Sequence, residues 1–370
     1  MTRRRIALGL CMALALAAVF GVSLYRDRTR RPMYTETWWD LFDTVTVVSG
    51  YADSAGEWQA QAEALHADLL RYHQLFDIYN HYDGLTNLAD LNEQAADGPV
   101  AVDPALMELL VFGKQAYTLT DGACNIAAGG VLALWHDARE AVQAAQTASG
   151  ETARDSGLTA LLPDETALTQ AARHMDIRDL VLDEQAGTVR FADPELQLDV
   201  GAIAKGWAVE QAARAAEARG LDSALINAGG SVRAIGTKAD GSRWTAGVQD
   251  PDGGDVLRTV ALEDGQSLIV SGDYQRYFEL DGVRYHHLID LATLQPARYC
   301  RSVAILCRDA GLGDALSTGL FCLPPDQGQT ILKELTGAEA LWIFEDGTLR
   351  TSDGWPTAVS YTHLTLPTTS

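Results

Sequence analysis

The sequence predicts an α+β protein, with strands and amphipathic helices following one another along a single chain. Three stretches carry that expectation. Residues 42–49, Phe-Asp-Thr-Val-Thr-Val-Val-Ser, are dense in the β-branched side chains that suit a strand. Trp58, Ala62, Leu65, Leu69, Tyr72 and Phe76 recur at the three- and four-residue spacing that gathers one face of a helix. Across Gly201 the apolar period changes from two (Leu196, Leu198, Val200) to helical (Ala204, Ala208, Ala212, Ala215), so a strand is read running into a helix. At 370 residues, 47% of them hydrophobic and 21% charged, the chain can bury a substantial core as one large domain or two of ordinary size. Its 28 Lys and Arg against 50 Asp and Glu give a net charge of −22, which argues against nucleic acid as a partner, because phosphate backbones need a basic footprint.

Taken in order, the chain begins with Arg3, Arg4 and Arg5 ahead of an uninterrupted apolar run over residues 6–25, followed by Arg26, Arg28, Arg30 and Arg31. The run has the length of a membrane-spanning helix, about 20 residues, and exceeds the core of a cleaved signal peptide. Residues 1–31 are therefore read as an uncleaved membrane anchor with basic flanks, and the bulk of the chain as exported to the extracytoplasmic side. Cys11 follows too few residues, and a large Leu10, to be a lipid-attachment site. The five cysteines contain no Cys-x-x-Cys pair and offer no metal framework; Cys124, Cys300, Cys307 and Cys322 read as small buried hydrophobes, and a disulfide is not demanded.

After the 42–49 strand and the 58–76 helix comes a polar loop at Asp83-Gly84, then Asp103-Pro104, an N-cap and first-turn pair. The helix it opens carries Leu106, Leu109, Leu110, Gly113 and Tyr117, and the turn-rich residues 120–125 precede an apolar run through Trp135. Residues 138–162, rich in Ala, Gln, Ser and Thr with weak periodicity, read as a surface connection. Asp164 caps a helix holding Leu168, Ala172 and Met175; residues 180–182 and 188–191 read as strands around a turn. Beyond the central helix, residues 224–228 form a buried strand running into Gly229-Gly230, which on spacing alone reads as a bulge. Asp281-Gly282 marks a hairpin whose second arm, 283–289, sets Tyr285, His287 and Ile289 on one face and Arg284, His286 and Leu288 on the other. Residues 302–307 read as a strand. The helix after it places Asp314 and Thr318 four residues apart on one face, and a hairpin at Asp346-Gly347 closes the body. Residues 360–370 resemble translated adapter sequence rather than a native end, so 32–359 is read as the functional domain.

On spacing alone, residues 196–207 form an anion-friendly junction. The helix N-terminus offers free amides and a positive dipole end, Lys205 adds a charge in the first turn, and Asp199 can accept a hydrogen bond. A junction with two solvated charges explains the spacing equally well. Other pieces decide between these readings. Residues 198–206 (Leu-Asp-Val-Gly-Ala-Ile-Ala-Lys-Gly), 227–230 (Asn-Ala-Gly-Gly), 271–274 (Ser-Gly-Asp-Tyr), 287–290 (His-Leu-Ile-Asp) and 314–318 (Asp-Ala-Leu-Ser-Thr) together resemble the FAD:protein FMN transferases, the ApbE family, over roughly residues 40–354. No Gly-x-Gly-x-x-Gly follows the first strand, which disfavours a Rossmann dehydrogenase.

The resemblance implies a T-fold-like α+β architecture, with mixed sheets flanked by helices and FAD in a cleft between two lobes. It implies cleavage of the FAD pyrophosphate, release of AMP, and attachment of FMN by a phosphoester to a Ser or Thr of an exported target flavoprotein. FAD hydrolysis to FMN and AMP, or FAD binding without turnover, are the alternatives; retention of Asp314, Thr318 and His287 disfavours pure binding. The resemblance further implies Mg²⁺ held by Asp314, Thr318 and the backbone carbonyl of Ala202, with FAD contacts from Phe42, Tyr79, Ala123, Cys124, Asn125, Asp199, Lys205 and Ile289, and His287 as general base. Phe42 stands where the family often has Met, Asn125 replaces a frequent Asp, and Ser231 stands where Asp or Asn usually follows Gly-Gly. Residues 291–294, Leu-Ala-Thr-Leu, stand in place of Pro-x-Thr-Gly, which predicts that the family turn is lost there.

Overall fold

Hairpin chemistry organises the centre of the molecule. In the computed structural model, which describes residues 31–149, 158–254 and 256–356, eight strands lie side by side in chain order: β1 (Met33–Leu41), β2 (Thr44–Tyr51), β3 (Ser223–Ala228), β4 (Ser231–Gly236), β5 (Ser267–Gly272), β6 (Ser302–Cys307), β7 (Glu339–Ile343) and β8 (Leu349–Thr351). Each neighbouring pair is antiparallel. The α+β class is borne out, but the sheets are not mixed. Among the described residues every strand pairing is antiparallel, and the sole parallel contact is an isolated bridge between Ala128 and Gln197. Neighbouring strands run in opposite directions both where a tight turn joins them, as for β3 and β4, and where a long insertion separates them, as for β2 and β3.

The helices are α1 (Ala55–Phe76), α2 (Leu88–Gln94), α3 (Pro104–Leu119), α4 (Gly129–Ser149), α5 (Glu165–Ala171), α6 (Ala204–Ala218), α7 (Ala310–Phe321) and α8 (Pro325–Glu334). The first six fill the long insertion between β2 and β3. Trp58, Leu65 and Leu69 of α1, and Ala208 and Ala212 of α6, pack under Val48 and Ile226 of the sheet; each fully buried large side chain contributes about 1.5–3 kcal/mol. Leu316 and Phe321 of α7 pack against Val303 and Ile305 of β6 and Trp342 of β7. The opposite face is covered by a hairpin, Trp244–Gln249 with Val256–Leu262. A smaller body, in which Trp135 of α4 and Leu168 of α5 meet Phe278 and Ile289, stands apart from the sheet core.

Several expectations require correction. The first strand is Met33–Leu41. Phe42 lies outside any strand, in a two-residue turn with Asp43, both at positive φ (53° and 51°), and β2 starts at Thr44. The 33–41 segment escapes notice because it is an edge strand whose residues are mostly exposed and carry no apolar alternation. Residues 138–149 are not a surface connection but the second half of α4; Ala and Gln favour a helix without supplying an apolar stripe. Residues 196–200 alternate in burial as expected, yet form no strand. They are held by a loop and a side chain: Asp199 N–H donates to the Ile126 carbonyl (2.9 Å) and Leu198 N–H to Asn92 Oδ1 (2.8 Å). Gly229-Gly230 is a hairpin turn rather than a bulge, with φ of 54° and 94°; a Cβ on Gly229 would meet Thr44 Oγ1 at 2.2 Å. The second hairpin arm stops at His286, and Ile289–Asp290 pairs separately with Gln295–Pro296. The turn after Asp290 is retained: Leu294 N–H donates to the Asp290 carbonyl at 2.7 Å, with Leu294 itself at φ 61°, the conformation glycine adopts freely. The four cysteines from Cys124 onward are buried and free. Among the described residues no helix is long and apolar enough to cross a membrane; residues 1–30, on which the anchor expectation rests, and the tail at 360–370 lie outside them.

Candidate active site

A cleft of about 1430 Å³ opens between the sheet and the smaller body. All the candidate residues named from the sequence lie along it: Phe42, Tyr79, Ala123, Cys124, Asn125, Asp199, Ala202, Lys205, His287, Ile289, Asp314 and Thr318. The corner that holds Asp314 is built by helix packing. A Cβ on Gly206 would stand 2.2 Å from the Ala310 carbonyl oxygen, so α6 and α7 touch backbone to backbone, which only glycine allows. Ile203, the residue before α6, provides no side-chain cap. Asp314 supplies one from the neighbouring helix: its Oδ2 accepts the Gly206 amide at 2.7 Å, and its Oδ1 lies 3.6 Å from Lys205 Nζ. The Gly206 amide is one of the first-turn donors that find no carbonyl within their own helix, and Asp314 satisfies it; Ala202, just before α6, lines the cleft. Asp314 is 3% exposed, and burial raises its carboxyl above the usual range while Lys205 opposes the shift.

Behind this corner, Glu210 of α6 ties three elements. Its Oε2 accepts from Arg233 Nε and from the Ala310 amide, both at 3.0 Å, and its Oε1 accepts from Arg214 Nε at 2.8 Å. Glu210 and Arg233 are 2% and 4% exposed. Asp309 caps α7 by accepting from Leu312 N–H at 2.9 Å.

On the other wall, His287 is fixed in one tautomer. Its Nδ1 lies 3.2 Å from the Arg276 carbonyl, which can only accept, so Nδ1 carries the hydrogen and Nε2 keeps its lone pair. Burial, then the Arg276 charge, pushes its pKa down to about 3, so the ring is neutral at physiological pH. His286 turns the opposite way, into the core at 3% exposure; its Nε2 donates to the Ala297 carbonyl (2.9 Å) and its Nδ1 accepts from Leu288 N–H (3.2 Å). Burial pushes His286 down to about 4.

The planar-ligand residues differ in what they present. Phe42 is held in its left-handed turn by donating its N–H to His73 Nδ1 (3.2 Å), with the two rings edge to face at 5.5 Å. Tyr79, 58% exposed, stacks on His136 with ring centroids 5.2 Å apart, and partial desolvation, then the Asp199 charge, raises its pKa to about 12. Cys124 is 1% exposed with its thiol pushed up to about 12 by burial, so only its backbone is offered to a ligand. Asn125 spends both ends of its amide: Oδ1 accepts from Ala127 N–H and Nδ2 donates to the Met175 carbonyl, each at 2.9 Å. An aspartate there could not make the second bond. Asp199 Oδ1 accepts the Gly201 amide at 2.7 Å, and burial raises its carboxyl.

Sequence reasoning missed three lining groups: His136, Arg139 and Arg276. Arg139 donates to His136 Nδ1 at 2.9 Å, fixing that ring beneath Tyr79. The i,i+3 pair on α4 was open to discovery only if residues 138–149 had been read as helix.

A hard cation fits the Asp314 corner. A carboxylate, a hydroxyl and a backbone carbonyl are all oxygen donors. Among the described residues no group of three or more His, Cys, Asp or Glu side chains gathers at one point, and this set draws on a single carboxylate.

Fold and cleft define an α+β protein with one large cleft, walled by a neutral histidine on one side and the Asp314 corner on the other. The chain belongs to the ApbE family, whose model matches residues 42–342. It is 36% identical over 284 residues to the FAD:protein FMN transferase of Treponema pallidum (strain Nichols), covering 72% of this chain and 73% of that one. It is 31% identical over 343 residues to that of Rhodobacter capsulatus, covering 92% of this chain and 61% of that relative's length. The crystal structure of the ApbE protein of Thermotoga maritima superposes with a TM-score of 0.73 at 29% identity, covering 87% of this chain and 97% of that one.

Proposed function

We propose that the cleft carries out FAD:protein FMN transfer. The observation that carries this reading is the convergence, in an ApbE-family chain, of an unprotonated His287 Nε2 with the Asp314 and Lys205 corner in one cleft. A Ser or Thr hydroxyl of a target protein attacks the FMN phosphorus of FAD. The new bond is oxygen to phosphorus, the bond to the AMP phosphate breaks, and AMP leaves. His287 Nε2 takes the hydroxyl proton while its Nδ1–H stays anchored on the Arg276 carbonyl. Lys205, in the first turn of α6, faces the phosphates with its charge, and Phe42, Tyr79, the 123–125 backbone and Ile289 enclose the planar ends. Asp199, which lines the same cleft, orients the ligand by accepting a hydrogen bond. Asp314, Thr318 and the Ala202 carbonyl would hold Mg²⁺, which when bound supplies charge neutralisation for phosphoryl transfer.

The acceptor is an exported flavoprotein presenting a Ser/Thr motif. Residues 1–31 tether the enzyme to the membrane with residues 32–359 on the extracytoplasmic side; the basic-flanked apolar run over residues 6–25 supports this placement. Small-molecule products test the chemistry. With FAD, Mg²⁺ and an acceptor, AMP should appear in step with modified acceptor and without free FMN. Equal FMN and AMP with unmodified acceptor would replace transfer by hydrolysis, and intact FAD would reduce the protein to a binder.

A further inference from the structure

We infer that Arg276 grips the flavin-side phosphate of the dinucleotide beside His287, using the guanidinium hydrogens that the fold leaves unspent. The inference rests on the flavin-dinucleotide reading of the cleft. Arg276 lies between β5 and the hairpin of Tyr277–Leu280 with Val283–His286, two residues past the Ser-Gly-Asp-Tyr stretch. Its side chain lines the cleft at the junction of the two walls. One nitrogen, Nη2, reaches the carbonyls of Phe42 (3.3 Å) and Asp43 (3.5 Å) on the left-handed turn. Nε and Nη1, with three hydrogens between them, have no partner among the described residues.

The neighbouring arginines behave differently. Arg284 is paired with Asp273 and Glu279, and Arg301 with Asp273 and Asp252. Asp273 is thereby committed, and among the described residues Arg276 makes no ion pair. With Nη2 tied to the turn, the side chain keeps the two Nη1 hydrogens and, on a separate edge, Nε–H as donors for phosphate oxygens, on a cation that no carboxylate among the described residues pairs. Its position is fixed relative to the proposed base, because the Arg276 carbonyl accepts both the backbone N–H and the Nδ1–H of His287, each at 3.2 Å. Its charge also reaches both walls, lowering His287 further after burial and drawing Asp199 down against burial. In the proposed complex the phosphate under attack near His287 Nε2 meets these free hydrogens, where the charge of the transferring group must be balanced.

The test compares two ligands that share a flavin ring and differ in phosphates. FAD and riboflavin binding to the full chain are measured by flavin fluorescence for the wild type, Arg276→Gln and Arg276→Lys; the backbone carbonyl that anchors His287 survives both substitutions. Arg276→Gln should weaken FAD about 10- to 100-fold and leave riboflavin unchanged, with Arg276→Lys recovering part of the loss. Unchanged FAD affinity, or an equal loss for both ligands, would overturn the inference while leaving the flavin site standing. A wild type that binds riboflavin as tightly as FAD would overturn the inference and the dinucleotide reading beneath it.

Discussion

Gly206→Ala strikes the contact on which the Asp314 corner depends. The added Cβ would stand 2.2 Å from the Ala310 carbonyl oxygen, 2.9 Å from its carbon and 2.6 Å from Asp314 Cβ. Two of these atoms are backbone at the first turn of α7, so no rotamer change relieves the clash. Restoring an ordinary 3.4 Å contact requires α6 and α7 to part by about 1.2 Å. That displacement stretches the 2.7 Å bond from the Gly206 amide to Asp314 Oδ2 beyond hydrogen-bonding range. Overpacking costs about 1–3 kcal/mol, and the lost bond to a buried carboxylate about 1.5–3 kcal/mol, so the combined loss is about 2.5–6 kcal/mol. Urea unfolding should show a lower midpoint at unchanged slope, and transferase turnover should fall even where the protein remains folded. Gly56→Ala in α1 is the control, since nothing lies within 4 Å of its Cβ position; it should be neutral or slightly stabilising. A Gly206→Ala protein with wild-type midpoint and turnover would refute the packing account of the corner.

Glu210→Ala removes the nearer carboxylate from the buried Arg233, leaving its 3.4 Å pair with Glu217, and uncaps the Ala310 amide, and should cost up to about 3–5 kcal/mol in a denaturant titration; a loss below about 1 kcal/mol would mean that Glu217 or water replaces it. His286 has a folded pKa of about 4, below its unfolded value of about 6.5, so the unfolded chain binds more protons in that window and stability rises with pH. The contribution is complete above pH 6.5 and falls by up to about 3 kcal/mol by pH 4; thermal melts across pH 4–8 should show the loss, to which His287, at about 3, adds in the same direction, and His286→Asn should remove the His286 share, whereas an unchanged slope would assign the acid sensitivity to other groups. His287→Gln should lower transfer about 10²- to 10⁴-fold with FAD affinity nearly intact. A proportional loss of binding would make His287 a contact residue rather than a base.

What was legible in the sequence depended on how locally each feature is encoded. The helices α1, α3 and α7 announce themselves because their buried stripes, or caps such as Asp103-Pro104, recur within a few residues. Apolar alternation at Leu196, Leu198 and Val200 reported burial correctly and pairing wrongly, because the partners of that backbone, Asn92 and Ile126, are far away in the chain. Strand β1 has no apolar face of its own and is defined by pairing with β2. In the cleft, residue types named by motif could be placed, but Arg276 and His136 acquire meaning only from what stands opposite them. The Asp314 cap on the Gly206 amide is a further case: it joins residues 108 positions apart in sequence. The anchor was read from residues 6–25, which lie outside the described structure.

The most direct measurement is the intact mass of an acceptor protein incubated with FAD, Mg²⁺ and this enzyme, beside the same reaction with Asp314→Ala. The account predicts an acceptor heavier by one FMN phosphoester, fluorescent, and lost when its target Ser or Thr is replaced; the Asp314→Ala enzyme should give none at any Mg²⁺ concentration. An acceptor of unchanged mass with the wild-type enzyme, or full modification by Asp314→Ala, would contradict it.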